Sequence, residues 1–399
     1  MDRKKLIIAG ISAAVCIAVV AAGGTSPQHT LAAAVGTVRS AAFLSAGITL
    51  PESAAEEAAP QTIDVPEPGS AEAPTEEPVT ESAAPETPEP ASEEPEAPRA
   101  LVISENITEF DDGLDYAAKG EQSGTIIREH FTGYQGTDYI TLPGGGQVWN
   151  CTSDSAESVL SAAGELPELT IEMDSAEPQV LIVHTHTTES YEPYQRTYYD
   201  SSFPFRTRDP RHNMIRVGEA LAERLASHGI SVLHDGTIHD YPAYTGAYDR
   251  SEATIRAALE KYPSIKVIID LHRDAMSSAD GSRTAPAFAV NGRSAAQFMI
   301  ITGCDDGRFG NMPEYRQNLS LACLIQQSAE ELYPGLSRPV LFDYRNYNQH
   351  ISTGSLLIEV GSHANSLDEA VYTGELLGDC MAQALSQLAA DVTTASSAE

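Results

Sequence analysis

The feature that most constrains the fold is a regular alternation of two kinds of segment after residue 178. Short apolar runs typical of buried strands alternate there with longer segments that carry apolar residues at helical spacing. The predicted strands are residues 179–183, 230–233, 265–271, 297–302, 339–342 and 355–360, and the predicted helices are 213–228, 252–261, 314–333 and 366–389. This alternation predicts an α/β fold, in which a mostly parallel sheet has helices on both faces. Ligands of such folds bind beyond the carboxyl ends of the strands.

Histidine or glutamate side chains occur where three of these predicted strands end. His186 follows the first strand, His272 ends the very apolar strand at 265–271, and Glu359 follows Leu356-Leu357-Ile358. A single buried histidine or glutamate is more often a hydrogen-bonded structural residue than a ligand. Each of the three would cost stability alone, so their placement at one edge of the sheet favours a shared cation.

The sequence predicts a zinc site formed by His186, Glu189 and His272. His186-Thr187-Thr188-Glu189 has the H-x-x-E spacing, which lets an imidazole and a carboxylate converge on one ion. Two histidines, one carboxylate and a water are a common catalytic zinc set. His184 and His212 remain alternatives for the third ligand, because His184 lies beside the same strand end and His212 opens the first predicted helix.

Glu359 and Arg273 are the predicted catalytic residues. Glu359 would act as the general base that takes a proton from water and passes it to the leaving nitrogen. Arg273 would orient a substrate carboxylate or stabilise an oxyanion, and the alternative is an ion pair with Asp270 or Asp274. HExxH and G-x-S-x-G are both absent, which excludes the thermolysin type of zinc peptidase and argues against catalysis by a serine nucleophile.

The N-terminal region predicts a single-pass membrane anchor at residues 1–24. Leu6–Gly23 contains no charge and would span about 27 Å as a helix, close to the hydrocarbon thickness of a bilayer. Arg3, Lys4 and Lys5 precede it, so the rest of the chain is expected outside the cytoplasm, at the cell membrane. A cleavable signal peptide is the alternative.

The remaining chain divides by composition. Residues 25–99 are predicted to be a disordered linker, since 51–98 is rich in proline and glutamate. Residues 100–178, with predicted strands at 125–131 and 138–149 and a helix at 156–163, form an accessory region. Residues 179–390 form the catalytic domain, followed by a flexible tail at 391–399. The net charge of −33 argues against nucleic acid as a partner.

Several motifs in the same order closely resemble the stage II sporulation protein P family. They are VLIVHTHTTESY, HNMIRVGEALAERL, IKVIIDLHRDA, NLSLACLIQQ, YPGLSRPV and YNQHISTGSLLIEVGSHANSLDEA, within residues 179–385. The resemblance implies a zinc-dependent N-acetylmuramoyl-L-alanine amidase, with associated endopeptidase activity, that removes stem peptides from peptidoglycan during engulfment in sporulation. It also implies two membrane partners, stage II sporulation proteins D and M.

The resemblance bears on the site residues as well. His186, His272 and Glu359 match positions where the family and the wider zinc amidases place ligands and a catalytic glutamate. In the wider zinc amidases the middle ligand opens the first helix, where this chain has His212, whereas the H-x-x-E spacing favours Glu189.

Two other functions remain open at this point. The H-x-x-E spacing, a distant histidine and a glutamate base are also the layout of a carboxypeptidase-like zinc peptidase. A wall-binding scaffold without catalytic activity is the second alternative. The favoured hypothesis is a membrane-anchored zinc amidase that acts on peptidoglycan.

Overall fold

The computed structural model describes residues 99–117, 120–305, 312 and 314–390. The predicted anchor at 1–24, the linker up to residue 98 and the tail at 391–399 lie outside these residues. Within the described part of the chain, no helix is both long and apolar enough to cross a membrane.

The described residues form thirteen strands, five α-helices and a 3₁₀ turn. The strands are β1 (Val102–Glu105), β2 (Gly124–Glu129), β3 (Tyr139–Thr141), β4 (Gln147–Asn150), β5 (Val180–Val183), β6 (Tyr198–Tyr199), β7 (Val232–Asp235), β8 (Val267–Asp274), β9 (Arg283–Val290), β10 (Arg293–Ala296), β11 (Phe298–Gly303), β12 (Val340–Asp343) and β13 (Ser355–Ser362). The helices are α1 (Ala156–Gly164), α2 (Met214–Ser227), α3 (Ala247–Lys261), α4 (Tyr315–Leu332) and α5 (Leu367–Ser386), and the 3₁₀ turn is Gln349–Ile351.

Nine strands form one large sheet in the order β1-β7-β5-β8-β13-β11-β12-β4-β3. The strand pairs β13–β11 and β4–β3 are antiparallel, and the other six pairs are parallel. The predicted mixed α/β fold with a mostly parallel sheet is therefore confirmed. The strands β5, β8 and β13, which carry or precede the predicted site residues, are neighbours in the middle of this order.

Alternate residues of the central strands pack on opposite faces of the sheet, as the period of two requires. Val180 and Ile182 belong to the larger apolar core, to which α2, α4 and α5 contribute side chains. Leu181 and Val183 point the other way, into a smaller core with Ile255 of α3. Helices thus cover both faces, as the near-continuous apolar character of these strands predicts.

The region at 100–178 contributes strands to the same large sheet. Residues of β1 pair in parallel with β7 at one edge, and β4 pairs in parallel with β12 towards the other edge. β2 instead belongs to a second sheet of four strands, in the order β10-β9-β2-β6. The strands predicted at 125–131 and 138–149 and the helix at 156–163 correspond to β2, to the hairpin β3–β4 and to α1.

The closing helix α5 begins with a capping box that also connects it to the second sheet. The hydroxyl of Ser366 accepts the backbone N–H of Glu369, and the carboxylate of Glu369 accepts the backbone N–H of Ser366. The same carboxylate also binds Arg128 of β2 and the hydroxyl of Ser294 of β10. This arrangement satisfies donors that the first turn of a helix leaves without partners.

We expect Ser366→Ala to lower the free energy of unfolding by about 0.5–2 kcal/mol, the usual cost of losing such a cap. Urea unfolding of the full-length protein followed by circular dichroism measures this difference. Ser386→Ala at the other end of α5, where the hydroxyl bonds the carbonyl of Gln383, is the matched control and should change stability by less. Equal effects of the two substitutions would contradict the assignment of the cap.

Candidate metal and catalytic site

Three neighbouring parallel strands in the middle of the large sheet place the predicted site residues near or beyond their carboxyl ends. His186 lies three residues beyond β5, His272 lies near the end of β8, and Glu359 lies in β13. Glu359 and His272 are directly opposite each other in the register of β13 and β8. The carboxyl ends of the strands therefore bring together side chains that are far apart in sequence.

A bulge follows Glu359 immediately. The register of β13 against β8 shifts between Glu359 and Ser362, and Gly361 within the shift has a φ of 63°. A Cβ atom on Gly361 would lie 2.7 Å from the Cβ of Ala296, so this position favours glycine for both conformation and space. The bulge bends the strand at the point where it reaches the site.

His186, Glu189 and His272 form a compact, buried cluster. Nδ1 of His186 lies 3.7 Å from Oε1 of Glu189, and Nδ1 of His272 lies 3.7 Å from Oε2 of the same carboxylate. One potential ligand atom from each residue falls within 4.8 Å of the other two. The backbone N–H of Glu189 donates to the carbonyl of His186 at 3.1 Å, so a tight turn brings the two ends of the H-x-x-E motif onto the same side.

Asp270 supports His272 from the side opposite to the cluster. Oδ1 of Asp270 lies 2.8 Å from Nε2 of His272, off the preferred direction of a hydrogen bond. Asp270 also accepts the backbone N–H and the hydroxyl of Thr185 at 2.8 and 2.7 Å. With Asp270 at Nε2, the other ring nitrogen, Nδ1, faces Glu189. Metal-binding histidines usually have such a carboxylate at the ring nitrogen that does not bind the metal.

Burial and neighbouring charges shift the pKa values of all three residues of the cluster. Burial opposes ionisation of Glu189, but Arg273, His272 and Arg206 outweigh it and hold the pKa of Glu189 well below its usual range. Burial lowers the pKa of His186 to about 3. Burial also disfavours protonated His272, but Asp270 and Glu189 outweigh it and raise the pKa of His272 well above its usual value. Protonated His272 therefore lies between the carboxylates of Glu189 and Asp270, whereas His186 stays neutral.

Glu359 lies next to this cluster, and one oxygen of its carboxylate lacks a hydrogen-bond partner among the described residues. Among the described residues, Oε2 of Glu359 is buried and has no hydrogen-bond partner. Burial and then the neighbouring Asp274 raise the pKa of Glu359 to about 8, against the opposing influence of His272 and Arg338. Arg338 pairs with Asp274 at 3.0 Å. The raised pKa gives the ionised carboxylate of Glu359 a high affinity for a proton, which a general base needs.

Arg273 is buried and its guanidinium is engaged mainly by the backbone. Nε donates to the carbonyl of Ser190 at 3.1 Å, Nη2 donates to the carbonyl of Phe205 at 2.9 Å, and Nη1 lies 3.7 Å from Oε1 of Glu189. The contact of Arg273 with Asp274 is to its backbone carbonyl, at 3.4 Å. The predicted role of Arg273 in binding substrate stays a prediction, and its contacts here are with the wall of the site.

The two alternative ligands lie outside the cluster. Nδ1 of His184 lies 2.9 Å from the carbonyl of Leu271, and its Nε2 lies 2.9 Å from Nε2 of His234. His212 stacks on Tyr116, with ring centroids 3.4 Å apart. Of the three residues that the sequence leaves open, the structure therefore places Glu189 with His186 and His272.

Three further residues lie beside the cluster and are not singled out by the sequence: Tyr244, Arg206 and Asp240. Tyr244 stacks on His186 with ring centroids 4.5 Å apart and is 37% exposed, so it borders the site on the solvent side. Arg206 lies 3.2 Å from Glu189 and 2.6 Å from Asp240. These residues come from loops without hydrophobic periodicity or a recognisable motif, so no signal in the sequence identifies them.

The chain matches the family model described as stage II sporulation protein P over residues 56–382. It is also similar to the stage II sporulation protein P of Bacillus subtilis (strain 168), with 26% identity over 271 residues. That alignment covers 62% of this chain, and the chain spans 64% of the length of this curated relative.

Solved structures of amidases also match. The CwlD amidase from Clostridioides difficile, in complex with the GerS lipoprotein, matches at 12% identity with a TM-score of 0.31, covering 52% of this chain and 94% of that one. The N-acetylmuramoyl-L-alanine amidase AmiC2 of Nostoc punctiforme matches at 12% identity with a TM-score of 0.29, covering 52% of this chain and 96% of that one.

Proposed function

The chain belongs to the stage II sporulation protein P family, and from this premise we propose that it is a zinc-dependent peptidoglycan hydrolase. Specifically, we propose an N-acetylmuramoyl-L-alanine amidase with an associated endopeptidase activity, which removes stem peptides from the cell wall during engulfment. The observation that carries the proposal is the convergence of His186, Glu189 and His272 beside Glu359.

The donor set fits zinc. Two imidazole nitrogens and one carboxylate are the composition of many catalytic zinc sites. Nδ1 of His186 lies 3.7 Å from Oε1 of Glu189 and Nδ1 of His272 lies 3.7 Å from Oε2, and one ligand atom from each residue falls within 4.8 Å of the other two. His186, Glu189 and His272 would therefore hold the ion after small side-chain movements. When bound, the ion would supply Lewis acidity towards water and towards the carbonyl of an amide.

The other residues have separate roles in the proposed reaction. Glu359 accepts a proton from the attacking water on its carboxylate and delivers that proton to the nitrogen of the amide, whose C–N bond breaks. Asp270 keeps Nδ1 of His272 directed at the ligand site. Arg273 holds the backbone of the loop at Ser190 and Phe205 and adds positive charge near Glu189. Tyr244 forms part of the surface that substrate would meet.

The first experiment measures zinc content and the products of wall digestion together. We expect about one zinc ion per full-length chain and release of stem peptides from purified peptidoglycan, with free lactyl groups left on muramic acid. Release of only a C-terminal residue would favour the carboxypeptidase-like alternative. Binding to the wall with neither zinc nor cleavage would favour the non-catalytic scaffold.

We also propose that the protein acts at the cell membrane through its N-terminal segment, with stage II sporulation proteins D and M as partners. The apolar run Leu6–Gly23 behind a basic cluster and the family membership support this proposal. We expect the full-length chain in the membrane fraction, with residues 99–390 digested by protease added outside intact protoplasts. Digestion of that part only after the protoplasts are lysed would contradict the proposed orientation.

A further inference from the structure

Arg206 bridges two carboxylates at the border of the proposed zinc site. Its Nη2 lies 3.2 Å from Oε1 of Glu189, and its Nη1 donates to Oδ2 of Asp240 at 2.6 Å. The side chain of Arg206 is 32% exposed, whereas those of Glu189 and Asp240 are buried. One guanidinium thus links the carboxylate of a proposed ligand to a second carboxylate that belongs to another loop.

The bridge is itself held in place by contacts on both sides. The chain around Arg206 forms an antiparallel bridge with Glu189, and the backbone N–H of Thr207 donates to the carbonyl of Thr188 at 2.7 Å. Asp240 accepts the backbone N–H of Thr188 at 3.1 Å and its hydroxyl at 2.6 Å. Because backbone and side-chain bonds fix both ends, the guanidinium is oriented before any ligand arrives.

A second donor acts on the other oxygen of Glu189. The backbone N–H of Arg273 donates to Oε2 at 3.2 Å, while Arg206 contacts Oε1. Two donors on two oxygens restrict rotation of the carboxylate, and each oxygen also lies 3.7 Å from Nδ1 of one of the histidines, His186 or His272. Arg206 and the backbone N–H of Arg273 therefore hold the Glu189 carboxylate in the orientation in which its two oxygens face the two histidines.

We propose that Arg206 is a positioning residue for the metal site, which fixes the Glu189 carboxylate in its ligating orientation with Asp240 as its anchor. This inference rests on the proposed function in requiring that the cluster bind a divalent cation. Residues that orient metal ligands typically contribute 10- to 100-fold to metal affinity. Arg206 also carries positive charge, which repels a cation, but its partial exposure lets solvent screen that repulsion. The orienting effect is therefore expected to outweigh the charge effect.

The test compares variants that separate orientation from charge. Arg206→Met removes the bridge and one positive charge, whereas the double variant Arg206→Met/Asp240→Asn removes the bridge without changing net charge. Arg224→Met is the matched control, because Arg224 pairs with Asp379 between α2 and α5, at 2.6 Å, away from the site. The Zn²⁺ dissociation constant of each full-length protein is measured by competition with a chromophoric chelator, and Co²⁺ absorption reports the coordination geometry.

We expect both Arg206 variants to bind Zn²⁺ about 10- to 100-fold more weakly than wild type, with an altered Co²⁺ spectrum, and the Arg224 variant to bind normally. Unchanged or tighter binding by Arg206→Met would overturn the proposal, and tighter binding that the double variant cancels would identify a pure charge effect.

If Arg206→Met does not fold, Arg206→Lys decides: a single ammonium cannot make the two-armed bridge, so weaker binding supports the proposal and wild-type binding refutes it. A wild type that binds no Zn²⁺ would instead refute the proposed function.

Discussion

Replacing Glu359 with glutamine will reduce peptide release from peptidoglycan by about 10²- to 10⁴-fold, the usual contribution of a general base. Glutamine keeps the size of the side chain but cannot take up the proton of the attacking water. Because Glu359 is outside the His186, Glu189 and His272 cluster, the variant should retain zinc. Chromatography of the released peptides at saturating wall concentration measures the rate, and elemental analysis measures the metal.

Glu375→Gln provides the control for this substitution. Glu375 has a side chain that is 46% exposed on α5 and pairs with Arg293 at 3.7 Å, so its loss should leave the rate unchanged. Similar rates for wild type and the Glu359 variant would remove Glu359 from the reaction. A variant that loses both zinc and activity would indicate that Glu359 helps to hold the ion rather than to transfer a proton.

Replacing His272 with asparagine will weaken zinc binding at least 100-fold and abolish hydrolysis. Residues that only orient metal ligands contribute about 10- to 100-fold to metal affinity, and His272 should contribute more because it supplies a proposed ligand atom. The substitution also removes the positively charged partner of the buried Asp270 carboxylate, 2.8 Å away, and leaves that carboxylate with its hydrogen bonds from Thr185. An uncompensated buried charge costs about 3–5 kcal/mol, so the metal-free variant should also unfold at a lower urea concentration.

His212→Asn is the informative comparison, because the resemblance to the wider zinc amidases left His212 open as a ligand. In this structure its ring stacks on Tyr116, and we expect zinc affinity to remain within a few-fold of wild type. Glu189→Gln should by contrast weaken zinc binding, since glutamine carries no negative charge. Loss of zinc from the His212 variant with retention in the Glu189 variant would reverse the assignment of the middle ligand.

The helices and central strands can be predicted from the spacing of apolar residues within each segment. The predicted helix at 213–228 is observed at Met214–Ser227, and the predicted strand at 355–360 is observed at Ser355–Ser362. Burial imposes these periods locally, so they can be recognised without knowing what the segment packs against. The sequence does not predict β9, because RTAPAFAV includes a proline and lacks a clear alternation of apolar and polar residues.

The order of the strands could not be predicted in the same way. β13 lies between β8 and β11 in the large sheet, although β9, β10 and other elements intervene in sequence. Likewise β1 and β4, which belong to the predicted accessory region at 100–178, extend the large sheet near its two edges. These pairings depend on the packing of distant segments, for which a single sequence gives no direct signal.

The sequence by itself determined the class of fold and the chemical types available at the site. Apolar periodicity defines strands and helices, and His186, His272 and Glu359 stand out because polar side chains at the ends of apolar strands need partners. The tertiary structure alone decided that Glu189 joins the two histidines and that His184 and His212 do not. It also brought Arg206 and Asp240 to the border of the cluster. Convergence of this kind depends on strand order and on the paths of loops, which long-range packing determines.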